Sequence, residues 1–176
     1  MKQVVLLKLS GEAMSKVNGI GIDMEKVKAI ALEIKELKDT GVALGIVVGA
    51  GNMWRGRDAA TIGMDRVSAD QMGMLGTILN AMALAGAFET IGVKAKVMSS
   101  IPVGNITEPF NRNHAKMALE KDEIVIFSKK EKAIKRLPAY ENISAKNDVF
   151  SELKSLFGEK NVKVREKSIE KSQKKR

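Results

Sequence analysis

Lys8-Leu9-Ser10-Gly11 places an ammonium at the end of an apolar run, a hydroxyl two residues later, and then a glycine. A glycine there lets backbone amides approach a phosphate with no side chain in the way. Phosphoryl transfer uses such parts, because its transition state carries charge on three equatorial oxygens and is helped by positioning and nearby cations. A surface lysine snorkelling beside a tight turn would read the same way, so the first loop alone leaves both readings open. A second loop, Gly49-Ala50-Gly51-Asn52, also follows an apolar run and is followed by Trp54 and Arg55. Two glycines around a small residue, with a guanidinium close behind, can form an amide nest plus a planar donor for phosphate oxygens. This is not the dinucleotide fingerprint, whose third glycine would fall at Trp54. Two facing anion cradles suit a reaction that joins a phosphate donor to a phosphate acceptor. Asp70, near the start of a long helical run, reads either as an N-cap or as an acceptor for ribose hydroxyls.

These loops need a frame, and the hydrophobic pattern predicts one. Val4 to Leu7 reads as a buried strand with both faces covered. Asp23 caps a helix whose stripe is Val27, Ile30, Ala31, Ile34 and Leu37, and Gly41 stops it. Val42 to Val48 is a second strand, and Ser68 to Phe88 a long helix rich in Met, Ala and Gly. A strand at Ala95 to Met98, a helix around Asn113 to Glu120 and a strand at Glu123 to Phe127 complete the alternation. Strand-helix alternation argues an α/β fold with a mostly parallel sheet and helices on both faces, where ligands bind beyond the carboxyl ends of the strands. The long helix is apolar nearly all round, which suits a core helix and also one whose far side meets another subunit. Lys16-Val17-Asn18-Gly19-Ile20-Gly21 reads as a mobile connector.

Composition narrows the chemistry. There is no cysteine and a single histidine, His114, which argues against disulfides, thiolate metal sites, a zinc site and a histidine-based nucleophile relay. The net charge is +9. Up to Ser128 there are 15 basic against 14 acidic residues; from Lys129 onward there are 15 against 7. The basicity therefore belongs to the tail, and nucleic acid is not an expected partner of the first part. The tail lacks aromatic interleaving for base stacking, with Tyr140 the sole tyrosine. The longest apolar stretch is broken well short of the ~20 residues that cross a bilayer, and Met1 runs straight into a strand, so neither a membrane span nor a secretory signal is expected. A cytoplasmic protein is expected.

KLSGEA, GAGNMWRG and GMDRVSADQMGML, in this order, resemble the bacterial UMP kinases of the amino acid kinase family. The resemblance spans residues 1–128 and implies a three-layer αβα sandwich with a mostly parallel sheet. It also implies transfer of the ATP γ-phosphate to UMP with Mg2+, giving UDP in pyrimidine nucleotide synthesis. A homohexamer, activation by GTP and inhibition by UTP come with it. By position, Lys8, Leu9, Ser10 and Gly11 match the family's first ATP-phosphate segment, with Lys8 as the charge-stabilising catalytic group. Gly51 and Arg55 match later ATP contacts, Ala50 and Asp70 match UMP contacts, and Lys16, Val17, Asn18, Gly19, Ile20 and Gly21 match the segment linked to GTP activation. No metal ligand in the chain is implied.

Two departures stand out. The family has three glycines where this chain has Gly49-Ala50-Gly51, and the methyl of Ala50 is expected to disfavour positive φ and weaken UMP binding. After Phe127 the family continues with a Gly-Thr-Gly-Asn-Pro segment and a Thr-Thr-Asp that hold UMP and organise donor phosphates; this chain reads Ser128-Lys129-Lys130-Glu131. Residues 129–176 read as an unrelated basic tail, with one short helix after Asp148 presenting Phe150, Leu153, Leu156 and Phe157. A C-terminally truncated domain is the expectation, with an apolar edge and face left uncovered and with stability that depends on association. Losing one side of an in-line transfer site commonly costs ~10³-fold or more in rate. A non-catalytic remnant that binds nucleotide or assembles with intact subunits is the alternative reading.

Overall fold

A computed structural model describes residues 3–55, 59, 61–101 and 103–128. The tail from residue 129, including the short helix expected after Asp148, lies outside the described residues.

Strand β1 (Val4–Leu9) leads through a 3₁₀ turn (Gly11–Met14) to helix α1 (Met24–Asp39) and strand β2 (Ala43–Val48). Helix α2 (Arg66–Thr90), strand β3 (Ala95–Ser99), a two-residue strand β4 (Glu108–Pro109), helix α3 (Arg112–Glu120) and strand β5 (Ile124–Ser128) follow. Among the described residues all pairings are parallel, in the order β1-β2-β5-β3-β4. Strand β5, the last of them in sequence, thus sits in the middle of the sheet, and β1 and β2 lie side by side.

The four strands expected from the apolar runs are present, as are the three helices. β4 was not foreseen, because two residues ending in a proline give no alternating pattern. It is held by the backbone N–H of Phe110 donating to the Ser99 carbonyl, and by Lys96 Nζ on Glu108 Oε1 at 2.7 Å. That charge-assisted bond raises the Lys96 pKa.

Register explains the layers. Leu9, Val48, Ser128 and Ser99 stand in one row across the sheet, so they share a face with Val5, Leu7, Leu44, Ile46, Ile124 and Ile126. That face packs beneath α2: Thr77 Oγ1 of the helix meets Ser128 Oγ at 2.8 Å, both groups buried. α1 packs on α2 through Val27, Ile30, Ala31 and Ile34. On the opposite face, Ala115 and Ala118 of α3 cover Met98 and Val125. The fold is therefore α/β, with helices on both faces of a parallel sheet. Phe88, Leu44, Ile46, Leu84, Ile124 and Ile126 are fully buried, each contributing about 1.5–3 kcal/mol by removal from water.

β1 corrects one expectation. Val5, Leu7 and Leu9 are buried, but Val4 and Leu6 are 47% and 45% exposed. β1 is an edge strand, and its α3-side face is uncovered among the described residues. An unbroken apolar run looked like a strand covered on both sides, and the sequence carries no sign of which face lacks a partner.

Helix ends follow their caps. Asp23 accepts from the amides of Glu25 and Lys26, and Asn111 from those of Asn113 and His114. Gly41, at φ +92°, ends α1 in the left-handed conformation. α2 is 25 residues and, by length and composition alone, apolar enough to cross a bilayer, which the apolar-run count had put out of reach. Its fully buried Asn80, hydrogen-bonded to another buried side chain and to backbone, and its packing over the sheet make it a core helix.

Candidate functional site

The two glycine turns meet at the carboxyl ends of β1 and β2. The backbone N–H of Gly49 donates to the Leu9 carbonyl at 2.9 Å, fastening one turn to the other. Gly11 is buried against the second turn: a Cβ there would come within 2.7 Å of the Gly51 amide nitrogen and 3.0 Å of the Ala50 carbonyl carbon, besides striking Asn52 Oδ1. A Cβ on Gly49 would in turn lie 3.3 Å from the Gly11 nitrogen. Gly11 in particular has no room for a side chain, and the approach brings the amides of both turns into one small region.

Lys8 ends the exposed face of β1, opposite Val47 of β2. Leu9 has its side chain in the core at 4% exposure, so only its backbone takes part in the loop. Ser10 opens the 3₁₀ turn with its carbonyl accepting from Ala13, and fully buried Met14 anchors that turn. Arg55 folds back over the second turn, its Nε donating to the Gly51 carbonyl at 3.1 Å.

Glu12 is a site residue that the sequence reading passed over, although it lies inside KLSGEA. Its carboxylate lies so close over Gly51 that a Cβ on that glycine would meet Oε1 at 2.5 Å, and the same oxygen is 3.6 Å from Arg55 Nη2. A carboxylate thus stands beside Gly51 and Arg55. Both partners are largely exposed, so the pair itself is worth little. Glu12→Gln is expected to tighten binding of an inorganic triphosphate probe about 1.5- to fivefold, in line with the ~0.2–1 kcal/mol of an exposed ion pair. Calorimetric titration at low and high salt checks this, and an unchanged or weaker affinity would refute it.

Ala50 is better accommodated than its sequence suggested. Its φ is not positive, so the expected strain is absent. Its methyl faces Gly76 of α2, where an added Cβ would lie 3.0 Å from it.

Asp70 is not the N-cap of α2. That place belongs to Asp65, whose carboxylate accepts from the Ser68 amide at 3.0 Å. Asp70 lies more than a turn inside the helix. It precedes by one turn Gly73, whose Cβ position is 3.7 Å from Trp54 of the second loop. The cap was misplaced because Asp65 is separated from the apolar run by Arg66 and Ser68.

The Lys16 to Gly21 segment is more tied down than a mobile connector. Gly19 and Gly21 both adopt φ +76°, the Gly19 amide donates to the Lys16 carbonyl, and Ile20 N–H donates to Asn18 Oδ1. Val17 is 99% exposed at its tip. Gly21 N–H donates to the Asn52 carbonyl at 2.8 Å, joining this segment to the second glycine turn.

Interlocked glycine turns and a basic side chain folded over one of them thus stand beyond the carboxyl ends of parallel strands, where open α/β sheets bind their ligands. The profile of the amino acid kinase family matches residues 3–136. The chain belongs to the amino acid kinase family. It is 51% identical over 126 residues to the uridylate kinases of Onion yellows phytoplasma (strain OY-M) and Aster yellows witches'-broom phytoplasma (strain AYWB), covering 72% of this chain and 52% of each relative. The chain thus spans about half the length of these curated relatives. Among solved structures, UMP kinase from Bacillus anthracis superposes with a TM-score of 0.68 at 39% identity, covering 72% of this chain and 52% of that one. UMP kinase from Ureaplasma parvum gives 0.68 at 35% identity, covering 72% and 56%. Aspartate kinase from Synechocystis, at 20% identity and a TM-score of 0.52, over 72% of this chain and 21% of that one, shares the fold.

Proposed function

We propose that this chain carries the donor-phosphate half of a UMP kinase site, transferring the ATP γ-phosphate to UMP to give UDP for pyrimidine nucleotide synthesis in the cytoplasm. The interlock of the Gly11 and Gly49–Gly51 turns carries this reading, supported by relatives that are UMP kinases over the same residues. Lys8 supplies positive charge to the moving phosphoryl group. Ser10, Gly11 and Gly51 offer amides and a hydroxyl to donor phosphates beside the Leu9 backbone, and Arg55 swings from Glu12 onto phosphate oxygens. Ala50 and Asp70 face the UMP side. Mg2+ would travel on the ATP phosphates and neutralise their charge; no group of three or more Asp, Glu, His or Cys that could hold a metal occurs among the described residues, so no step is assigned to it. The Lys16–Gly21 segment is the proposed receiver of GTP activation, with UTP as inhibitor. The exposed stripe Met72, Leu75, Leu79 and Met82 of α2 is the proposed self-association face, in keeping with a homohexamer.

UDP formation from ATP, Mg2+ and UMP by the purified 176-residue chain tests the activity. Turnover that Lys8→Ala removes supports it. A second reading, a non-catalytic chain that binds nucleotide or joins intact subunits, is favoured by the face of β1 left uncovered among the described residues. Folded, self-associating protein with no turnover would establish that reading in its place.

A further inference from the structure

Asn52 and Asn80 are the buried polar pair nearest the glycine turns, at 2% and 0% exposure. Each amide donates to the other's carbonyl: Asn80 Nδ2 to Asn52 Oδ1 at 2.6 Å, and Asn52 Nδ2 to Asn80 Oδ1 at 3.1 Å. Each spends its second N–H on backbone, Asn52 on the Gly21 carbonyl and Asn80 on the Gly49 carbonyl, both at 2.8 Å. All four amide protons are used, and turning either amide over would set its oxygen against a backbone carbonyl. The orientation is therefore fixed by the contacts. Gly21 is held twice by one residue, through its carbonyl by the Asn52 side chain and through its N–H by the Asn52 carbonyl. Asn52 Oδ1 also fills the space where Gly11 would carry a side chain.

A polar pair in this place is costly unless it does something an apolar pair could not. Two leucines would fill similar volume without desolvating two amides. What leucines could not do is bind Gly21, Gly49 and α2 to one another by directed bonds. We propose that Asn52 and Asn80 are positioning residues that set the Gly49–Gly51 turn in its anion-receiving form and couple it to the Lys16–Gly21 segment. The proposal rests on the phosphate-site reading for its ligand, while its structural half, the coupling between the two segments, stands apart from that reading. Displacing Gly21 pulls on Asn52, Asn52 pulls on Asn80, and Asn80 holds the Gly49 carbonyl. A fully satisfied network transmits such a shift because no member can move without breaking a buried bond.

A mutant cycle between Gly21→Ala and Asn80→Ala in the full 176-residue chain tests it, read by hydrogen exchange of the amides of residues 49–54 and by Mg–ATP titration. Alanine is strained at φ +76°, so Gly21→Ala displaces the loop, whereas Gly92→Ala imposes like strain at φ +74° past the end of α2, outside both segments. Gly21→Ala is expected to speed exchange at residues 49–54 and weaken Mg–ATP binding about fivefold, and Gly92→Ala to leave both unchanged. In the Asn80→Ala background Gly21→Ala is expected to add nothing further. Equal effects of the two glycine substitutions, or additive effects across the cycle, overturn the proposal. If Asn80→Ala does not fold, the Gly92 and Gly21 comparison decides alone. If the unmodified chain binds no Mg–ATP, the phosphate-site reading fails while the exchange measurement still decides the coupling.

Discussion

Gly11→Ala is expected to cost about 2–4 kcal/mol of stability and to reduce Mg–ATP binding below detection. The added carbon would overlap Asn52 Oδ1 and lie 2.7 Å from the Gly51 nitrogen. A flexible side-chain tip could move aside at little cost, but neither neighbour is free to do so. Asn52 is fixed by the amide ring with Asn80 and by Gly21, and Gly51 N is backbone inside the turn that the Gly49–Leu9 bond holds. Relief requires the two turns to separate, which removes the convergence of amides that binding needs. Thermal unfolding with parallel titration checks both parts. Gly49→Ala, whose nearest neighbour would stand at 3.3 Å, is expected to do clearly less harm. Equal stability of Gly11→Ala and the parent chain would show that the turns are not interlocked.

Local and long-range signals in this chain differ in how far the residues reveal them. Strands β1, β2, β3 and β5 and all three helices were legible because apolar periodicity and capping residues are local signals, and Asp23 and Gly41 act where they were expected to. The two glycine turns at the ends of β1 and β2 were legible for the same reason. What was not legible depends on which elements become neighbours. That β5 inserts between β2 and β3, leaving β1 at the edge, is set by the packing of later elements, and no residue in Val4–Leu9 records it. Asn52 stood in plain view beside Gly51, yet its partner lies 28 residues away in α2. One signal could have found it: an asparagine in the middle of an otherwise apolar helix must have a polar partner if buried. Glu12 was hidden by its loop's glycines, which drew the reading toward amides and away from the carboxylate beside them.

The pair Leu75→Glu and Leu79→Glu is expected to turn the proposed assembly into a monomer without unfolding the chain. Met72, Leu75, Leu79 and Met82 recur at three and four residues, so they form one stripe along α2, each 40–48% exposed. The opposite stripe, Ala69, Thr77, Ala81, Leu84 and Phe88, is buried against α1 and the sheet. A helix apolar on both sides has a use for its outer side only if something covers it, and a second copy presenting the same stripe is the simplest cover that a closed symmetric assembly allows. In such an interface every residue counts twice. Burying the remaining half of a leucine is worth about 1 kcal/mol, so two leucines in two copies contribute about 4 kcal/mol, or roughly a thousandfold in the association constant. Charged replacements would repel as well. Sedimentation velocity from micromolar to tens of micromolar reads the result, with circular dichroism confirming that the helix persists. A parent chain that is monomeric over this range would remove the reason for the stripe to be apolar, and an assembly that survives both substitutions would place the interface elsewhere, with the uncovered face of Val4 and Leu6 on β1 as the next surface to charge.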